Sequence, residues 1–380
     1  MSIEHSQYDI AIIGGGLAGL ALSVQSAKAG YKTILLEKEQ YPFHRVCGEY
    51  ISLESWSFLE RLGLPLSQMN VPIIKTLQIT APNGKLFQTA LPLGGFGISR
   101  YKLDHELVTI AKAAGVTVLE KAKVTDVQFK ENSFQIRSAV DNLQAKLVAG
   151  SFGKRSNLDV KWNRSFIQQK PNKLNNYIGV KYHIKTNHSS DTIALHNFEN
   201  GYCGISQIEH DQFCLCYLTT AKNLKQHDNS IEQMQGQVLF KNPHLKKIFT
   251  EARFLYESPL TISQISFDNK SQIEDHVLML GDAAGMITPL CGNGMSMALH
   301  GSKMAFEQMD AFLQNKISRS NMEEQYKKQW QLQFASRLRT GRMIQRFFGK
   351  TSLTNLFVQS FQTFPFLAKP LIRQTHGNPF

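Results

Sequence analysis

Residues 8–37 read YDIAIIGGGLAGLALSVQSAKAGYKTILLE, and this stretch decides the fold. A short apolar run, typical of a buried parallel strand, leads directly into a G-x-G-x-x-G sequence. A helical pattern then extends to Gly30, and a second apolar run ends at Glu37. The order of strand, glycines, helix, strand and acid predicts a dinucleotide-binding βαβ unit. The alternative is a βαβ turn with a structural role alone.

Each glycine of the motif has its own expected role. Gly14 makes the tight turn, Gly16 lets a pyrophosphate approach the backbone, and Gly19 lets helix and strand pack closely. The unpaired N–H groups and the dipole at the helix N-terminus favour the negative charge of the pyrophosphate. Glu37 ends the second strand, where its carboxylate can accept hydrogen bonds from ribose hydroxyls.

The composition is typical of a globular enzyme. The chain has 380 residues, of which 42% are hydrophobic and 19% are charged. It has no apolar run of about 20 residues, and its first residues do not resemble a signal peptide. Its five cysteines lack the spacing of a disulfide framework or a zinc site. We therefore expect reduced thiols, no metal and a cytoplasmic protein.

The net charge of +12 is concentrated near the C-terminus, because residues 325–380 contain nine basic residues and no acidic one. The same segment also contains many phenylalanine and leucine residues. Such a segment can lie on an anionic membrane surface or receive a lipophilic substrate. The alternative is a helix pair that packs on the rest of the protein. No nucleic-acid recognition module accompanies the charge, so we expect no nucleic-acid partner.

The hydrophobic patterns predict an α/β fold, with a doubly wound Rossmann-like domain, an inserted antiparallel β-sheet domain and a helical C-terminus. Alternation around Pro82-Asn83-Gly84 predicts a hairpin, and β-branched and aromatic runs between residues 173 and 265 predict the inserted sheet. The predicted segments are the Rossmann-like domain in three parts (1–70, 98–165 and 270–315), the hairpin (71–97), the inserted sheet (166–269) and the basic helical C-terminus (316–380).

A second motif follows the apolar run 277–280. Gly281-Asp282-Ala283-Ala284-Gly285 places an acid at the end of a predicted strand, and Cys291-Gly292-Asn293-Gly294-Met295 then begins a long helix. Asp282 can accept from a ribityl or ribose hydroxyl, and the N–H groups at the helix start can face a flavin edge. The alternative is an N-capping Asp in a glycine-containing loop.

These motifs resemble those of the FAD-dependent group that contains the hydroxylases of the p-hydroxybenzoate hydroxylase fold and the geranylgeranyl reductases. The matching features are the N-terminal motif with Glu37, the Gly281-Asp282 block, Arg100 at a helix start, and the loop 45–49 (RVCGE), which is similar to the cysteine-containing loop of the reductases. The resemblance covers residues 1–165 and 270–315. It implies FAD as the cofactor and NAD(P)H as the electron donor.

The resemblance also implies the residues that hold FAD. Gly14, Gly16, Ala18 and Gly19 would hold the pyrophosphate, and Glu37 the adenosine ribose. Val124 would bracket the adenine. Cys47, Gly48 and Arg100 would line the flavin or its ribityl chain, and Asp282, Gly294 and Met295 would reach the ribityl chain and isoalloxazine. The predicted cofactor-binding set is Gly14, Gly16, Ala18, Gly19, Glu37, Lys38, Arg45, Cys47, Gly48, Arg100, Val124, Gly281, Asp282, Gly292, Gly294 and Met295.

Two segments depart from the family patterns. Phe152 stands where the hydroxylases carry the Asp of a G-A-D-G-x-x-S motif, and residues 201–206 lack the Tyr-x-Trp-x-x-Pro motif of the prenyl reductases. Cys47 is the candidate catalytic residue, as a thiol that steers substrate or relays a proton; the alternative is a small residue packed beneath the flavin. His44 has the same two interpretations. Cys214 and Cys216 are expected in the core. Strand residues that can face the substrate are Tyr177, Tyr182, His183 and His196.

The sequence therefore predicts an FAD-dependent oxidoreductase with a lipophilic small-molecule substrate, cytoplasmic or on a membrane surface. The leading hypothesis is hydroxylation of an aromatic or polyketide-like substrate by a flavoprotein monooxygenase. The second is reduction of C=C bonds in a prenyl or other lipid chain, and the third is electron transfer to a quinone or a partner protein. The oligomeric state stays open.

Overall fold

The computed structural model describes residues 7–170, 175–288, 292–347, 350–368, 370, 372 and 377–380, with the side chains of 346, 347 and 367 left out. Within this part of the chain the fold is α/β, with two sheets and a helical C-terminus, as the sequence predicts.

The strands are β1 (Gln7–Ile13), β2 (Thr33–Leu36), β3 (Tyr50–Ser52), β4 (Ile73–Thr80), β5 (Leu86–Gly97), β6 (Thr117–Leu119), β7 (Val124–Lys130), β8 (Ser133–Ser138), β9 (Asn142–Gly150), β10 (Asn175–Lys185), β11 (Thr192–Phe198), β12 (Gly201–Gln207), β13 (Phe213–Thr220), β14 (Arg253–Phe254), β15 (Leu260–Ser266), β16 (Ile273–Glu274) and β17 (Val277–Met279). The α-helices are α1 (Leu17–Lys28), α2 (Trp56–Leu62), α3 (Arg100–Ala113), α4 (Asn157–Lys161), α5 (Ala221–Lys225), α6 (Ile231–Gln237), α7 (Pro243–Glu251), α8 (Gly294–Leu313), α9 (Arg319–Phe347) and α10 (Thr351–Thr363).

The first sheet has the order β16-β17-β9-β1-β2-β6, and the β7–β8 hairpin joins it through β9. Strands β17, β9, β1, β2 and β6 are parallel. Their apolar side chains are buried because helices cover the sheet, as parallel strands require. The carboxyl ends of β1, β2, β9 and β17 therefore meet at one edge, where ligands bind in open α/β sheets.

The second sheet has the order β14-β10-β13-β12-β11-β4-β5-β3, with β15 also paired to β10. One face of β10, β12 and β13 packs its apolar side chains against α6, α7 and the segment between them. Because side chains alternate along a strand, Lys181 and His183 of β10 lie on the opposite face. In the β10–β13 register they stand beside Cys216 and Cys214. This polar face is turned towards loop 45–49.

The structure corrects two details of the predicted organisation. Tyr50–Ser52, placed by the sequence in the Rossmann-like domain, is strand β3 and pairs with β5 of the second sheet. The second sheet is also not purely antiparallel, since β4 and β11 are parallel. A three-residue strand is too short to show a period, so the apolar spacing that continues into α2 obscured it.

The C-terminal helices pack on the rest of the protein through one face each. Trp330 and Phe334 of α9 are buried, and Phe361 of α10 packs on Phe87 of β5 at a ring distance of 5.3 Å. Within the described residues, every helix is too short or too polar to cross a membrane.

Candidate FAD site

The glycine turn after β1 has the shape of a phosphate cradle. Gly14 has a φ of +100°, and a Cβ there would lie 2.7 Å from the carbonyl carbon of Ser151. A Cβ on Gly16 would meet only Arg100 Nη2, at 3.9 Å, so the space beside it is open. Gly16 precedes α1, and no side chain caps the N–H groups of this helix end. An open, uncapped helix start fits the pyrophosphate of FAD.

Glu37 is buried and fixes the glycine turn. Its carboxylate accepts hydrogen bonds from the backbone N–H groups of Gly15 (2.8 Å) and Glu39 (3.0 Å), and from Arg45 (3.1 Å). Tyr41 donates to the Gly15 carbonyl at 2.6 Å. The ribose contact expected of Glu37 stays a prediction, while the structure gives this acid a role in shaping the turn.

Asp104 joins the two arginines of the predicted site. It accepts two hydrogen bonds from Arg100, at 2.9 and 2.8 Å, and one from Arg45 at 3.0 Å. Arg45 also donates hydrogen bonds to Glu37 and to the Gly15 carbonyl. The guanidinium of Arg100 is therefore held next to the Gly16 cradle, with its pKa raised further by Asp104 against the effect of burial.

The fold brings the two distant motifs together at the edge of the first sheet. A Cβ on Gly281 would lie 3.5 Å from that of Ala18 and 3.6 Å from that of Ala298 in α8. Within the described part of the chain the Asp282 carboxylate makes no hydrogen bond, and desolvation raises its pKa against the influence of Lys270. It lines a small cavity together with Gly281, Gly294, Met297 and Trp330. Such a carboxylate can accept from a hydroxyl of the cofactor.

Cys47 lies at the start of α8. Its Sγ is 3.6 Å from the Sδ of Met295, in the first turn of that helix. The carbonyl of Cys47 accepts from Cys214 Sγ at 3.2 Å, and that of Gly48 accepts from Ser206 at 3.3 Å. Cys47 and Gly48, both predicted to line the flavin, are thus hydrogen-bonded to the second sheet.

The Cys47 side chain is a neutral thiol at neutral pH. Desolvation raises the pKa of its thiol, although Arg100 and Lys181 act in the opposite direction. The guanidinium of Arg45, two residues before Cys47, is directed to Glu37 and Asp104. A neutral thiol can donate a proton, whereas a thiolate cannot.

Behind this loop, Glu49 forms a buried polar cluster with Lys181 and His183. Its carboxylate accepts from Lys181 Nζ at 2.5 Å, from His183 Nε2 at 2.6 Å and from the Arg100 backbone N–H at 2.7 Å. Glu49, His183 and Cys214 offer three potential metal-ligand atoms within 4.8 Å of one another. The Lys181 ammonium already supplies the positive charge there, which disfavours a cation.

The other predicted residues lie at the rim of the site or away from it. Val124 is buried at the start of β7, Lys38 is exposed beside Glu39, and Gly292 lies near Tyr50. Cys291, which belongs to the second motif, lies outside the described residues. Among the strand candidates, the structure directs His183 to loop 45–49, while Tyr182 and His196 contact Gln235 and Thr80 instead. His44 is half-buried and stacks on Tyr101.

Sequence reasoning missed Asp104, Glu49 and Lys181 as site residues. Each carried a signal. Asp104 lies four residues after Arg100 in a predicted helix, Glu49 ends the RVCGE motif, and Lys181 interrupts an apolar strand. Which of these charges meet is decided by the packing of the two sheets.

Several relatives align with most of the chain, among them the following two. Conditioned medium factor receptor 1 of Dictyostelium discoideum is 23% identical over 87% of this chain and 69% of its own length. A digeranylgeranylglycerophospholipid reductase of Methanococcus vannielii is 22% identical over 87% of this chain and 83% of its own length.

Solved structures share the fold. A flavin-dependent brominase, in a triple-mutant form, superposes with a TM-score of 0.78 at 18% identity, covering 97% of this chain and 95% of its own. A geranylgeranyl bacteriochlorophyll reductase-like protein of Thermoplasma acidophilum superposes with a TM-score of 0.74 at 18% identity. The superposition covers 92% of this chain and 90% of that protein. The flavin-dependent halogenase CmlS superposes with a TM-score of 0.75 at 20% identity. The superposition covers 88% of this chain but only 64% of the length of CmlS.

The family model described as "FAD binding domain" matches residues 7–331. This range includes the glycine turn, loop 45–49, Arg100 and the Gly281-Asp282 block. The chain belongs to this FAD-binding family and is an FAD-dependent oxidoreductase.

Proposed function

We propose that this enzyme reduces a C=C bond in a lipophilic chain, with Cys47 as the proton donor. The observation that carries the proposal is a neutral thiol, with a raised pKa, beside Met295 at the N-terminus of the helix expected to face the flavin. The alignment with a digeranylgeranylglycerophospholipid reductase supports the same chemistry. We therefore favour reduction over hydroxylation, which was the leading hypothesis from sequence.

Reduction of C=C to CH–CH consumes two electrons and two protons in total. Bound FAD, reduced by NAD(P)H as we propose, would supply the redox chemistry. The chain supplies the rest: the cradle at Gly16 and the Asp282 carboxylate hold the cofactor, and the Cys47 thiol gives a proton to the substrate carbon. Arg100 and Lys181 partly offset the desolvation of the resulting thiolate until a proton from solvent returns to it.

The decisive experiment uses anaerobic enzyme with a geranylgeranyl-bearing glycerophospholipid and either dithionite or NADPH. We expect product that gains two hydrogens per reduced bond. Cys47→Ala should lower kcat by about two orders of magnitude, as expected for loss of a general acid, and should retain FAD. Cys203→Ala is the matched control, because Cys203 is buried on the other face of the second sheet. Unchanged kcat in Cys47→Ala would contradict the assigned role.

Hydroxylation is the second candidate, because the fold is shared with a probable FAD-dependent monooxygenase of Pseudomonas aeruginosa at a TM-score of 0.71 and 14% identity. Product that gains one oxygen atom, only in the presence of O₂, would select it over reduction. Reoxidation of the reduced enzyme by a quinone, with every candidate substrate unchanged, would select the electron-transfer hypothesis instead.

We further propose that the C-terminal region contacts a membrane surface from which the substrate enters. Leu356, Phe364 and Phe366 are 62%, 51% and 65% exposed. Two exposed basic residues also lie at α10: Lys350 immediately precedes it, and Lys85 donates to Gln359 of this helix. Exposed apolar side chains with flanking cations fit an anionic lipid surface.

A further inference from the structure

Glu49 and Lys181 are both fully buried and lie where the second sheet meets the FAD site. Removing two charges from water costs several kcal/mol for each ion, and the cost is offset only when the pair is close and its other hydrogen bonds are made. Here the pair is close, and burial is overcome by Lys181 and His183, which lower the pKa of Glu49 to about 2. Both groups are therefore ionised at neutral pH.

The cluster holds two segments of the first domain. Lys181 Nζ also donates to the Arg45 carbonyl at 3.0 Å, at the start of loop 45–49. Glu49 accepts from the backbone N–H of Arg100, the first residue of α3. Glu49 itself has a φ of +55°, in the left-handed region that non-glycine residues seldom adopt. In this backbone conformation its carboxylate contacts Lys181, His183 and the Arg100 N–H.

We propose that Glu49 and Lys181 are positioning residues that make the FAD cradle depend on the docking of the second sheet. The series of contacts is continuous. From Lys181 it passes through Glu49 to Arg100, and then along Asp104, Arg45 and Glu37 to the backbone of Gly15. The inference rests on FAD binding, which the family assigns, and not on the proposed reduction.

A second series of contacts leads from the cluster to the surface. Tyr256 bridges His183 Nδ1 at 2.7 Å and the edge of the His44 ring at 3.3 Å. The charged and titratable groups facing this series are Lys181, Glu49, Cys214 and Glu209, and burial keeps Tyr256 protonated by raising its pKa to about 12. Lys181 is the lysine counter-charge of Glu49, with its Nζ 2.5 Å from the carboxylate.

The test compares single and double replacements in the full chain. Lys181→Met keeps the length of the side chain but leaves Glu49 without its counter-charge, so loop 45–49 and the start of α3 should loosen. We expect FAD to bind about tenfold more weakly or worse, measured by quenching of flavin fluorescence. In the double variant Lys181→Met/Glu49→Gln neither charge is left unpaired, and the amide oxygen introduced by Glu49→Gln can still accept from the Arg100 N–H. FAD affinity should therefore return to within about threefold of the wild type. The tenfold loss expected of the single variant corresponds to about 1.4 kcal/mol of binding free energy.

Glu49→Gln alone serves if Lys181→Met does not fold, because it preserves shape while leaving the Lys181 ammonium unpaired. The matched control is Asn242→Ala. Asn242 is a buried polar residue whose hydrogen bonds to Thr80, Ala81 and Asn197 stabilise the second sheet away from the site. The Asn242→Ala variant should have a lower melting temperature and an unchanged affinity for FAD.

A positioning role predicts weaker FAD binding in the single variants and a shifted visible spectrum of the bound flavin. Single variants that melt earlier but bind FAD as the wild type does, like Asn242→Ala, would overturn the inference. So would a double variant that binds FAD as poorly as Lys181→Met. Neither readout depends on substrate, so failure of the proposed reduction would leave this result intact.

Discussion

Arg100 and Asp104, one turn apart at the start of α3, form two hydrogen bonds of 2.9 and 2.8 Å, and Asp104 is 1% exposed. The same carboxylate accepts from Arg45. One buried acid thus orients both arginines predicted to serve the cofactor. Bidentate pairing fixes direction as well as charge, which a single contact does not do.

Asp104→Asn should destabilise the protein, because it removes the charge that compensates Arg100 and Arg45. We expect the free energy of unfolding of the apoprotein to fall by about 3 kcal/mol, as for a broken buried pair, measured by urea unfolding. Asp126→Asn is the control, since Asp126 pairs with the half-exposed Lys161 and should cost less than about 1 kcal/mol. Equal losses of unfolding free energy in the two variants would contradict a larger contribution from the buried Asp104.

Gly16→Val should abolish FAD retention without unfolding the chain. Its side chain would project into the open space beside Arg100 that we assign to the pyrophosphate. The purified variant should be colourless, while its circular dichroism matches that of the wild-type apoprotein. Gly236→Ala in α6, where a Cβ meets nothing within 4 Å, should stay yellow. A yellow Gly16→Val variant would refute the assigned cradle.

Stability should decline below pH 6.5 because of His196. Burial lowers the pKa of this histidine from 6.5 to about 3, with His244 stacked beside it. The unfolded chain takes up a proton below pH 6.5 and the folded one does not until about pH 3, so stability is lost as pH falls through this window. The contribution of His196 to this loss should be about 1.4 kcal/mol per pH unit. His196→Asn should show a correspondingly flatter pH profile in urea unfolding; the same slope as wild type would exclude His196 as the source.

Leu356→Asp/Phe366→Asp should weaken binding to anionic vesicles, because it replaces exposed apolar side chains with charges that lipids repel. Co-sedimentation with phosphatidylglycerol-containing vesicles and with neutral phosphatidylcholine vesicles measures the effect. Val160→Asp, which alters an exposed residue of α4, should bind as the wild type does. If the wild-type protein bound neither kind of vesicle, the membrane proposal would be refuted.

The sequence by itself determined the first βαβ unit, the cofactor class and the α/β fold. These follow from local patterns: a buried strand needs a continuous apolar run, and a pyrophosphate needs glycines at fixed spacing before a helix. The long helix Gly294–Leu313 and strands such as Thr192–Phe198 were predictable for the same reason, since their periodicity lies within the segment.

Only the tertiary structure decided which charges meet. Lys181 is far from Glu49 in sequence, and the register between β10 and β13 sets which side chains of that face stand together. Glu37, predicted from its position to serve a ribose, is shown to hold the Gly15 turn and Arg45 as well. Hydrogen bonds between distant segments leave no period in a sequence. Their partners are selected by the need to satisfy every buried charge once the two sheets pack together.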